Sequence, residues 1–396
     1  MKRNSTFLIN KKRFNIKVSY LTEKNSSSIL RASMDKGKDN LPINYDELVE
    51  IVENLFTVVD TRFREDASIE FIIAESTTLK LNFKTLIDKL KPYGYLGLLR
   101  RIDNEILLRV GASREKEKKT SRIPFLLVVA TITTVSIDGY FRTPSIAGYN
   151  SVLTMFLYIV GIMGIIGMHE LSHKIAASKH GIRASLPYFI PGLPTVLPTF
   201  GAFISTRDPP TNRDSLFDLG LSGPIGGLII TLFVGVGGAL TSFSTSVDVA
   251  ENLGTQTVTV DVFTETVLSL FSSQPEGSVL ILSPLTFAAT IGFLITFLNL
   301  MPAWQLDGGH IASSVLSKRQ HKVATYISIL VLFVLGFTLM ALFVLVLSIR
   351  TPEASPLDNV SELSRSRRVI FIGVIVLAIA LYFFTIANNP FFSNSL

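Results

Sequence analysis

The chain has 396 residues, of which 48% are apolar and 17% are charged, and it contains no cysteine. Soluble domains carry about 25% charged residues, so this composition argues against a fully soluble protein. Without cysteine there is no disulfide and no thiolate ligand, so a tight transition-metal site has to use histidine and carboxylate groups. The net charge of +6 is scattered along the chain, which argues for basic loops of a membrane protein and against a nucleic-acid partner.

Charged residues concentrate in the first 122 residues, and long apolar runs make up most of the remainder. Residues 1–39 are rich in serine, asparagine and lysine, lack the apolar core of a secretory signal, and are predicted to form a flexible N-terminal arm. Met34 is a second candidate for the translation start. Residues 40–113 are predicted to form a soluble α+β accessory domain, residues 114–122 a basic linker, and residues 123–390 a membrane domain.

The accessory domain shows the periodicities of short helices and strands. Apolar residues at helical spacing predict a helix that begins at Asn44 or Asp46 and runs to about Val58. The pattern then predicts a strand at Ile69–Ala74, a helix at Phe83–Leu90, and a hairpin of Tyr95–Arg101 and Glu105–Val110 joined near Asp103-Asn104. This domain contains no histidine, which is more typical of an accessory or regulatory module than of a catalytic one.

Six apolar stretches are long enough to cross the roughly 30 Å hydrocarbon core of a bilayer, which takes about 20 helical residues. They are residues 123–141, 150–177, 216–241, 279–302, 323–349 and 369–388. The predicted fold class is an α-helical polytopic membrane protein with about six transmembrane helices. It has a three-helix core at about residues 150–315 and a re-entrant loop, and the small soluble α+β domain precedes it.

The re-entrant loop is predicted at residues 184–204, a seventh apolar stretch. This stretch has a proline at every third or fourth position: Pro187, Pro191, Pro194 and Pro198. Because these prolines remove hydrogen bonds that a helix needs, the stretch cannot form an ordinary span. Non-helical backbone at membrane depth is tolerated only inside protein or beside a wet cavity, so a re-entrant loop or hairpin beside a cavity is expected.

Lysine and arginine in short loops predict the orientation, because cytoplasmic loops carry an excess of them. The linker and the basic loops around residues 179–213 and 318–322 are predicted to be cytoplasmic, whereas loop 243–277 has no lysine or arginine and is predicted to lie outside. The expected location is a multi-pass cell membrane protein whose N-terminal domain and active site face the cytoplasm. Residues 350–368 disagree, because counting spans places them outside although they carry four arginines. Either the last two spans are misassigned or the charge rule is overridden there.

The most informative motif is His169-Glu170-Leu171-Ser172-His173, near the end of the second apolar stretch. On a helix, residues four apart share a face, so both imidazoles can bind one zinc ion with Glu170 beside them. Zinc lowers the pKa of a bound water toward about 7, and the glutamate can accept its proton as it attacks a carbonyl. The alternative is a pair of structural histidines inside a helical bundle.

Catalytic zinc normally takes three protein ligands, so the two histidines leave one position to fill. The candidate is Asp307, 138 residues after His169 (307 − 169), in a segment broken by proline and glycine. Counting spans places this segment on the same side of the membrane as His169. His310 is the rival ligand, and Asp307 could instead cap a turn.

Some residues near these motifs have more ordinary interpretations. Gly223, Gly226 and Gly227 would let helices, or the substrate, approach closely, and plain helix packing is the simpler interpretation. His180 and His321 are predicted to be surface residues at helix ends.

These motifs resemble those of the site-2 protease family of intramembrane zinc metalloproteases. That family pairs an HExxH helix with a later N-x-x-P-x-x-x-L-D-G segment, and here the second segment runs from Asn299 to Gly308. The resemblance covers about residues 123–315, and the soluble N-terminal domain is similar to that of archaeal and plastid members. It implies one zinc ion bound by His169, His173 and Asp307. It also implies that Glu170 is the general base and that Asn299 holds the substrate backbone or the oxyanion.

The expected function is hydrolysis of peptide bonds in or near transmembrane segments of membrane proteins, by Glu170-assisted attack of zinc-activated water. The expected partners are a membrane-protein substrate and the lipid bilayer, and the oligomeric state stays open. Two alternatives are a divalent-metal transporter whose path these side chains line, and an inactive scaffold that binds membrane proteins. Changing Glu170 to glutamine separates them, because a protease would lose cleavage and keep zinc, whereas a transport site would lose metal handling.

Overall fold

The computed structural model describes residues 45–64, 68–113, 122–143, 150–252, 262–271, 278–350 and 355–385. The chain divides into two compact units, Met1–Asn54 and Leu55–Leu396. The predicted N-terminal arm, and all of the predicted linker except Arg122, lie outside the described residues. In the first unit, the described part is helix α1 (Tyr45–Glu53) and the residue after it.

The second unit begins with a four-stranded antiparallel sheet and one helix. In chain order these are β1 (Val58–Phe63), β2 (Ile69–Ile73), α2 (Leu79–Leu90), β3 (Tyr95–Ile102) and β4 (Glu105–Ala112). The strands lie in the order β1-β2-β4-β3. Strand β2 and the β3–β4 hairpin are as predicted, and the hairpin turns at Asp103 and Asn104, whose φ angles of 46° and 71° are tolerated by these residue types.

The prediction that the first helix runs to Val58 is wrong. Helix α1 ends at Glu53, and Val58 is instead the first residue of β1. The run Thr57-Val58-Val59 is β-branched throughout, and such side chains are restricted in a helix but pack well on a sheet.

The membrane domain contains, among the described residues, four helices long and apolar enough to cross a bilayer: α3, α4, α5 and α12. In chain order the elements are α3 (Ile123–Arg142), α4 (Ser151–Lys179), β5 (Tyr188–Leu193), β6 (Leu197–Phe203), α5 (Arg213–Thr241), β7 (Phe243–Ser246), α6 (Val247–Asn252), α7 (Val262–Phe271), β8 (Ser278–Ile281), α8 (Pro284–Leu300), α9 (Asp307–Val315), α10 (Lys318–Val334), α11 (Thr338–Arg350) and α12 (Arg365–Thr385).

Helices α4, α5 and α8 pack against one another at the centre of the membrane domain. Glycines allow the close approach: a Cβ on Gly161 of α4 would lie 2.9 Å from Leu285 of α8, and one on Gly238 of α5 would lie 2.6 Å from the backbone nitrogen of Thr286. Buried side chains such as Tyr158, Ile162 and Ala288 fill the space between the helices. Small residues at such contacts are typical of helix packing in membranes.

The proline-rich stretch 184–204 is a hairpin, as predicted, and not a span. Strands β5 and β6 pair antiparallel, with Tyr188 opposite Phe203 and Leu193 opposite Leu197. The hairpin packs on α3 and, through β6, on α4. The backbone hydrogen bonds that a helix would lose at proline are replaced here by bonds between the two strands.

The predicted single span at residues 323–349 is wrong, because two shorter helices occupy it. Helices α10 and α11 have 17 and 13 residues and contact each other, and the chain turns between them at Gly336, whose φ is 82°. At 1.5 Å per residue they are only about 25 Å and 20 Å long. The chain therefore turns back within this segment.

This return explains the four arginines in residues 350–368. Leu99 of strand β3 accepts a hydrogen bond from Asn359 and donates one to Leu357, at 3.3 and 2.9 Å. Residues 357 and 358 also donate to the carbonyls of Pro210 and Thr211, just before α5. The segment thus lies on the face that carries the N-terminal sheet, which favours the first of the two alternatives, that the last two spans were misassigned.

Candidate metal centre and active site

Helix α4 brings two histidines onto one face. The helix is capped at its start by Asn150, whose side chain accepts a hydrogen bond from the backbone of Leu153 at 3.0 Å. It ends at Lys179, and Gly181 follows in the left-handed conformation at φ 68°, as the predicted helix stop requires. His169 and His173 lie one turn apart, are 6% and 7% exposed, and have their Nε2 atoms 3.1 Å apart.

Asp307 completes this group from a distant part of the chain. It is the first residue of α9, and its two carboxylate oxygens lie 3.1 Å from His169 Nε2 and 3.2 Å from His173 Nε2. The tight turn from α8 into α9 depends on Gly308 and Gly309, because a Cβ on either would collide with the backbone carbonyls of Leu300 or Trp304. The two predicted motif segments are therefore brought together.

The histidine rings are oriented by their outer contacts. His173 Nδ1 lies 2.8 Å from the backbone carbonyl of Leu219 on α5 and 3.4 Å from Ser222 Oγ. A hydrogen bond from Nδ1–H to that carbonyl leaves the lone pair of Nε2 facing Asp307, the arrangement typical of metal-binding histidines. Asn299, the predicted substrate-binding residue, has its amide nitrogen 3.5 Å from His169 Nε2.

Glycines on α5 let that helix lie directly against the histidine face. A Cβ on Gly223 would collide with the imidazole of His173, and one on Gly227 would lie 3.1 Å from His169 Nδ1. A Cβ on Gly226 would likewise collide with Ser172. The structure supports the simpler of the two interpretations of these glycines, close helix packing. This packing brings α5 into direct contact with the histidine rings of the site.

Glu170 is buried beside the histidines, with 4% of its surface exposed. Its carboxylate, His169 and His173 offer ligand atoms that all lie within 4.8 Å of one another. The backbone of Ile204, just after strand β6, hydrogen-bonds to this carboxylate. The base of the β5–β6 hairpin therefore lies at the site, an arrangement that only the tertiary structure reveals.

The other histidines lie outside this group of converging atoms. His310, the rival ligand, packs against Gly220, and its Nδ1 is buried without a hydrogen-bond partner among the described residues. Burial lowers the pKa of His310. His321 is 1% exposed, so its prediction as a surface residue is wrong. His180 follows α4 and contacts Asp218 at 2.9 Å.

Residues 157–342 match the model of Peptidase family M50. The chain is 30% identical over 233 residues to "Probable zinc metalloprotease EGY1, chloroplastic" of Arabidopsis thaliana, covering 56% of this chain and 41% of that protein. It is 31% identical over 235 residues to "Probable zinc metalloprotease EGY2, chloroplastic" of Oryza sativa subsp. indica, covering 55% and 40%.

A more distant relative is "Probable zinc metallopeptidase EGY3, chloroplastic" of Arabidopsis thaliana, 21% identical over 225 residues, covering 54% of this chain and 39% of that protein. The chain spans about two fifths of the length of these curated relatives. No solved structure matches it significantly. The matched residues 157–342 contain both motif segments and all of the converging side chains, so this part of the chain is similar to peptidase family M50, the site-2 protease family.

Proposed function

We propose that this chain is an intramembrane zinc metalloprotease that hydrolyses peptide bonds in or near the transmembrane segments of membrane proteins. The observation that carries the proposal is the convergence of two imidazoles and one carboxylate, 3.1–3.2 Å apart, beside the buried Glu170. The match of residues 157–342 to Peptidase family M50 and the relatives named as zinc metalloproteases support it.

The donor set of His169, His173 and Asp307 fits zinc. Zinc binds imidazole nitrogen and carboxylate oxygen, whereas calcium and magnesium prefer sites made of oxygen alone. Tetrahedral bonds of about 2.0–2.1 Å separate ligand atoms by about 3.3 Å. Here the two Nε2 atoms are 3.1 Å apart, and each lies 3.1 or 3.2 Å from one of the two carboxylate oxygens of Asp307. Three protein ligands also leave one tetrahedral position open, as catalytic sites require.

Glu170 is assigned as the general base of peptide hydrolysis. When bound, zinc would lower the pKa of a water molecule to about 7 and polarise the peptide carbonyl. Glu170 would accept a proton from the attacking water and deliver it to the departing amide nitrogen. Asn299 would hold the substrate backbone or its carbonyl oxygen, and its amide nitrogen, 3.5 Å from His169 Nε2, supports that role.

The substrate would reach the site as an extended strand beside the β5–β6 hairpin. A helical substrate hides its carbonyls in its own hydrogen bonds, so a segment has to unwind before it is cut. Within the described residues the hairpin is a two-stranded sheet, and an extended peptide can add to such an edge through backbone hydrogen bonds. The contact between Ile204 and Glu170 supports this route, because it brings the strand end to the catalytic base.

The site would lie toward the face of the membrane that carries the N-terminal sheet. Lys91, next to that sheet, donates a 2.8 Å hydrogen bond to the carbonyl of Gly181, just beyond the histidine helix. The basic residues of this face favour a cytoplasmic orientation in a cell membrane. Labelling of single introduced cysteines from either side of sealed vesicles tests this orientation.

Alanine substitution shows which of Asp307 and His310 is the third zinc ligand. Asp307→Ala is expected to weaken zinc binding by more than about 100-fold, because loss of a group that merely orients a ligand already costs 10–100-fold. His310→Ala is expected to change zinc affinity by less than about tenfold, because its Nδ1 makes no hydrogen bond to the described residues, those of the converging group included. Competition with a chromophoric chelator measures both affinities, and the reverse ranking would make His310 the ligand.

Metal removal tests the proposed function itself. Detergent-purified protein should contain about one zinc ion per chain and cleave some members of a panel of single-span membrane peptides. Chelation should abolish cleavage, and added zinc should restore it. Protein that never contains zinc contradicts the proposal, and zinc-loaded protein that transports zinc into vesicles without cleaving any peptide favours a transporter.

A further inference from the structure

A second buried polar cluster lies in the membrane domain, away from the metal centre. Asp138 of α3 is 0% exposed. Its carboxylate accepts three hydrogen bonds: from Arg142 Nε at 2.6 Å, from the Tyr158 hydroxyl at 2.5 Å and from the backbone N–H of Thr195 at 2.6 Å. The peptidase chemistry proposed above uses none of these groups.

Thr195 is the residue at the tip of the β5–β6 hairpin. It has a φ of 73°, the left-handed conformation that is costly for a β-branched side chain and persists only where surrounding contacts enforce it. The Asp138 carboxylate supplies one such contact through the Thr195 N–H, and the Arg142 guanidinium donates to the Thr195 carbonyl at 3.4 Å. On the same helix, Thr134 donates to the carbonyl of Pro198 at 3.0 Å.

The cluster joins four elements of the membrane domain. Asp138 and Arg142 come from α3, Tyr158 from α4 and Thr195 from the hairpin, while the Arg142 guanidinium lies 3.6 Å above the ring of Phe287 on α8. Charged residues within a membrane helix are expensive, and they are retained where they are paired and have a function. Here the charge pair is directed at the backbone of the hairpin tip.

The hairpin is therefore held at both ends against helix α4. Its base meets Glu170 through Ile204, and its tip meets Tyr158 through Asp138. Tyr158 and Glu170 are 12 residues apart on one helix, which corresponds to about 18 Å along its axis. A strand fixed at two points along α4 has a defined position relative to the catalytic base.

We infer that Asp138 is a positioning residue for peptide hydrolysis: by holding Thr195 it fixes the hairpin along α4, so that a substrate strand added to the hairpin presents its peptide bond at Glu170. The inference builds on the proposed function and adds a residue from α3, outside both motif segments. Its loss should misplace the substrate without removing the metal ligands.

Asp138→Asn tests this role, because asparagine keeps the size but has one oxygen acceptor. Thr195 bonds to one carboxylate oxygen and Arg142 and Tyr158 to the other, so the amide NH2 group would face a donor and part of the network would be lost. We expect kcat/KM to fall by about 100-fold, the cost of a misplacement of roughly 1 Å, mainly through a higher KM. Zinc should remain at about one per chain. Tyr158→Phe removes a single donor and should shift KM in the same direction by a smaller factor. Ser136→Ala is the matched control on α3, because among the described residues the Ser136 hydroxyl donates to the carbonyl of Ile132 within its own helix and to no other group.

A distance measurement tests, without any substrate, whether Asp138 holds the hairpin tip in place. The chain has no native cysteine, and Val152 and Val196 are 74% and 73% exposed, so both can be changed to cysteine and spin-labelled. The label-to-label distance should be narrowly distributed in the parent protein and in Ser136→Ala, and broad in Asp138→Asn. An unchanged distribution with unchanged KM overturns the inference, as does loss of zinc from both Asp138→Asn and Tyr158→Phe, which would show a purely structural role. If the parent protein cleaves nothing, the proposed function fails, while the distance distributions still decide whether Asp138 holds the hairpin.

Discussion

Substituting Glu170 by glutamine is expected to reduce peptide cleavage by a factor of about 10²–10⁴ while about one zinc ion per chain stays bound. Glutamine has the size of glutamate but cannot accept the proton of the attacking water. The three atoms assigned to the metal belong to His169, His173 and Asp307, so their arrangement does not depend on the charge of Glu170. Cleavage of a single-span peptide and metal analysis of the same sample measure both effects.

The matched control for this variant is Glu362→Gln. The Glu362 side chain is 83% exposed and pairs with Arg368 at the protein surface, so its loss should leave cleavage and zinc unchanged. Full cleavage by Glu170→Gln would mean that another group accepts the proton. Loss of zinc from this variant would show that Glu170 is itself a ligand.

Gly223→Ala is expected to lower zinc affinity by roughly 10–100-fold and to reduce cleavage accordingly, although the substitution adds only a methyl group. The new Cβ would lie 2.5 Å from Cε1 and 2.6 Å from Cδ2 of His173. The ring cannot simply move away, because its Nδ1 is held 2.8 Å from the carbonyl of Leu219 on the same helix as Gly223. Either the ring turns from the metal position or α5 shifts away from α4, and overpacking of this kind typically costs about 1–3 kcal/mol.

Gly164→Ala is the control, because it makes the same change on the histidine helix itself. Among the described residues, a Cβ there would meet only Ile230 Cγ2, at an ordinary contact distance of 3.8 Å. Zinc affinity and cleavage should stay within about twofold of the parent protein, and helix stability should rise slightly because alanine favours helix over glycine. Equal zinc loss in the two variants, or none in Gly223→Ala, would contradict the role given to Gly223.

Local signals predicted much of this protein because they depend on neighbours in the chain. The spacing of His169 and His173 places them on one face of any helix, and Gly181 can end that helix wherever it packs. The four prolines of 184–204 exclude a helix, and Asp103-Asn104 suit a tight turn. Where local signals were weak, the predicted ends of elements were wrong. The first helix was predicted to run to Val58, but it ends at Glu53 and Val58 begins strand β1.

The sequence by itself determined the membrane class, the absence of thiolate chemistry and the residues of the two motif segments. Only the tertiary structure decided which atoms meet: Asp307 and His169 are 138 residues apart, and their 3.1 Å contact depends on how α4, α5 and α8 pack. It also decided that residues 323–349 turn back at Gly336, that His321 is buried, and that Asp138 holds the hairpin tip. The physical reason is that hydropathy and helical spacing report on local geometry, whereas these features are set by close contacts between segments far apart in the chain.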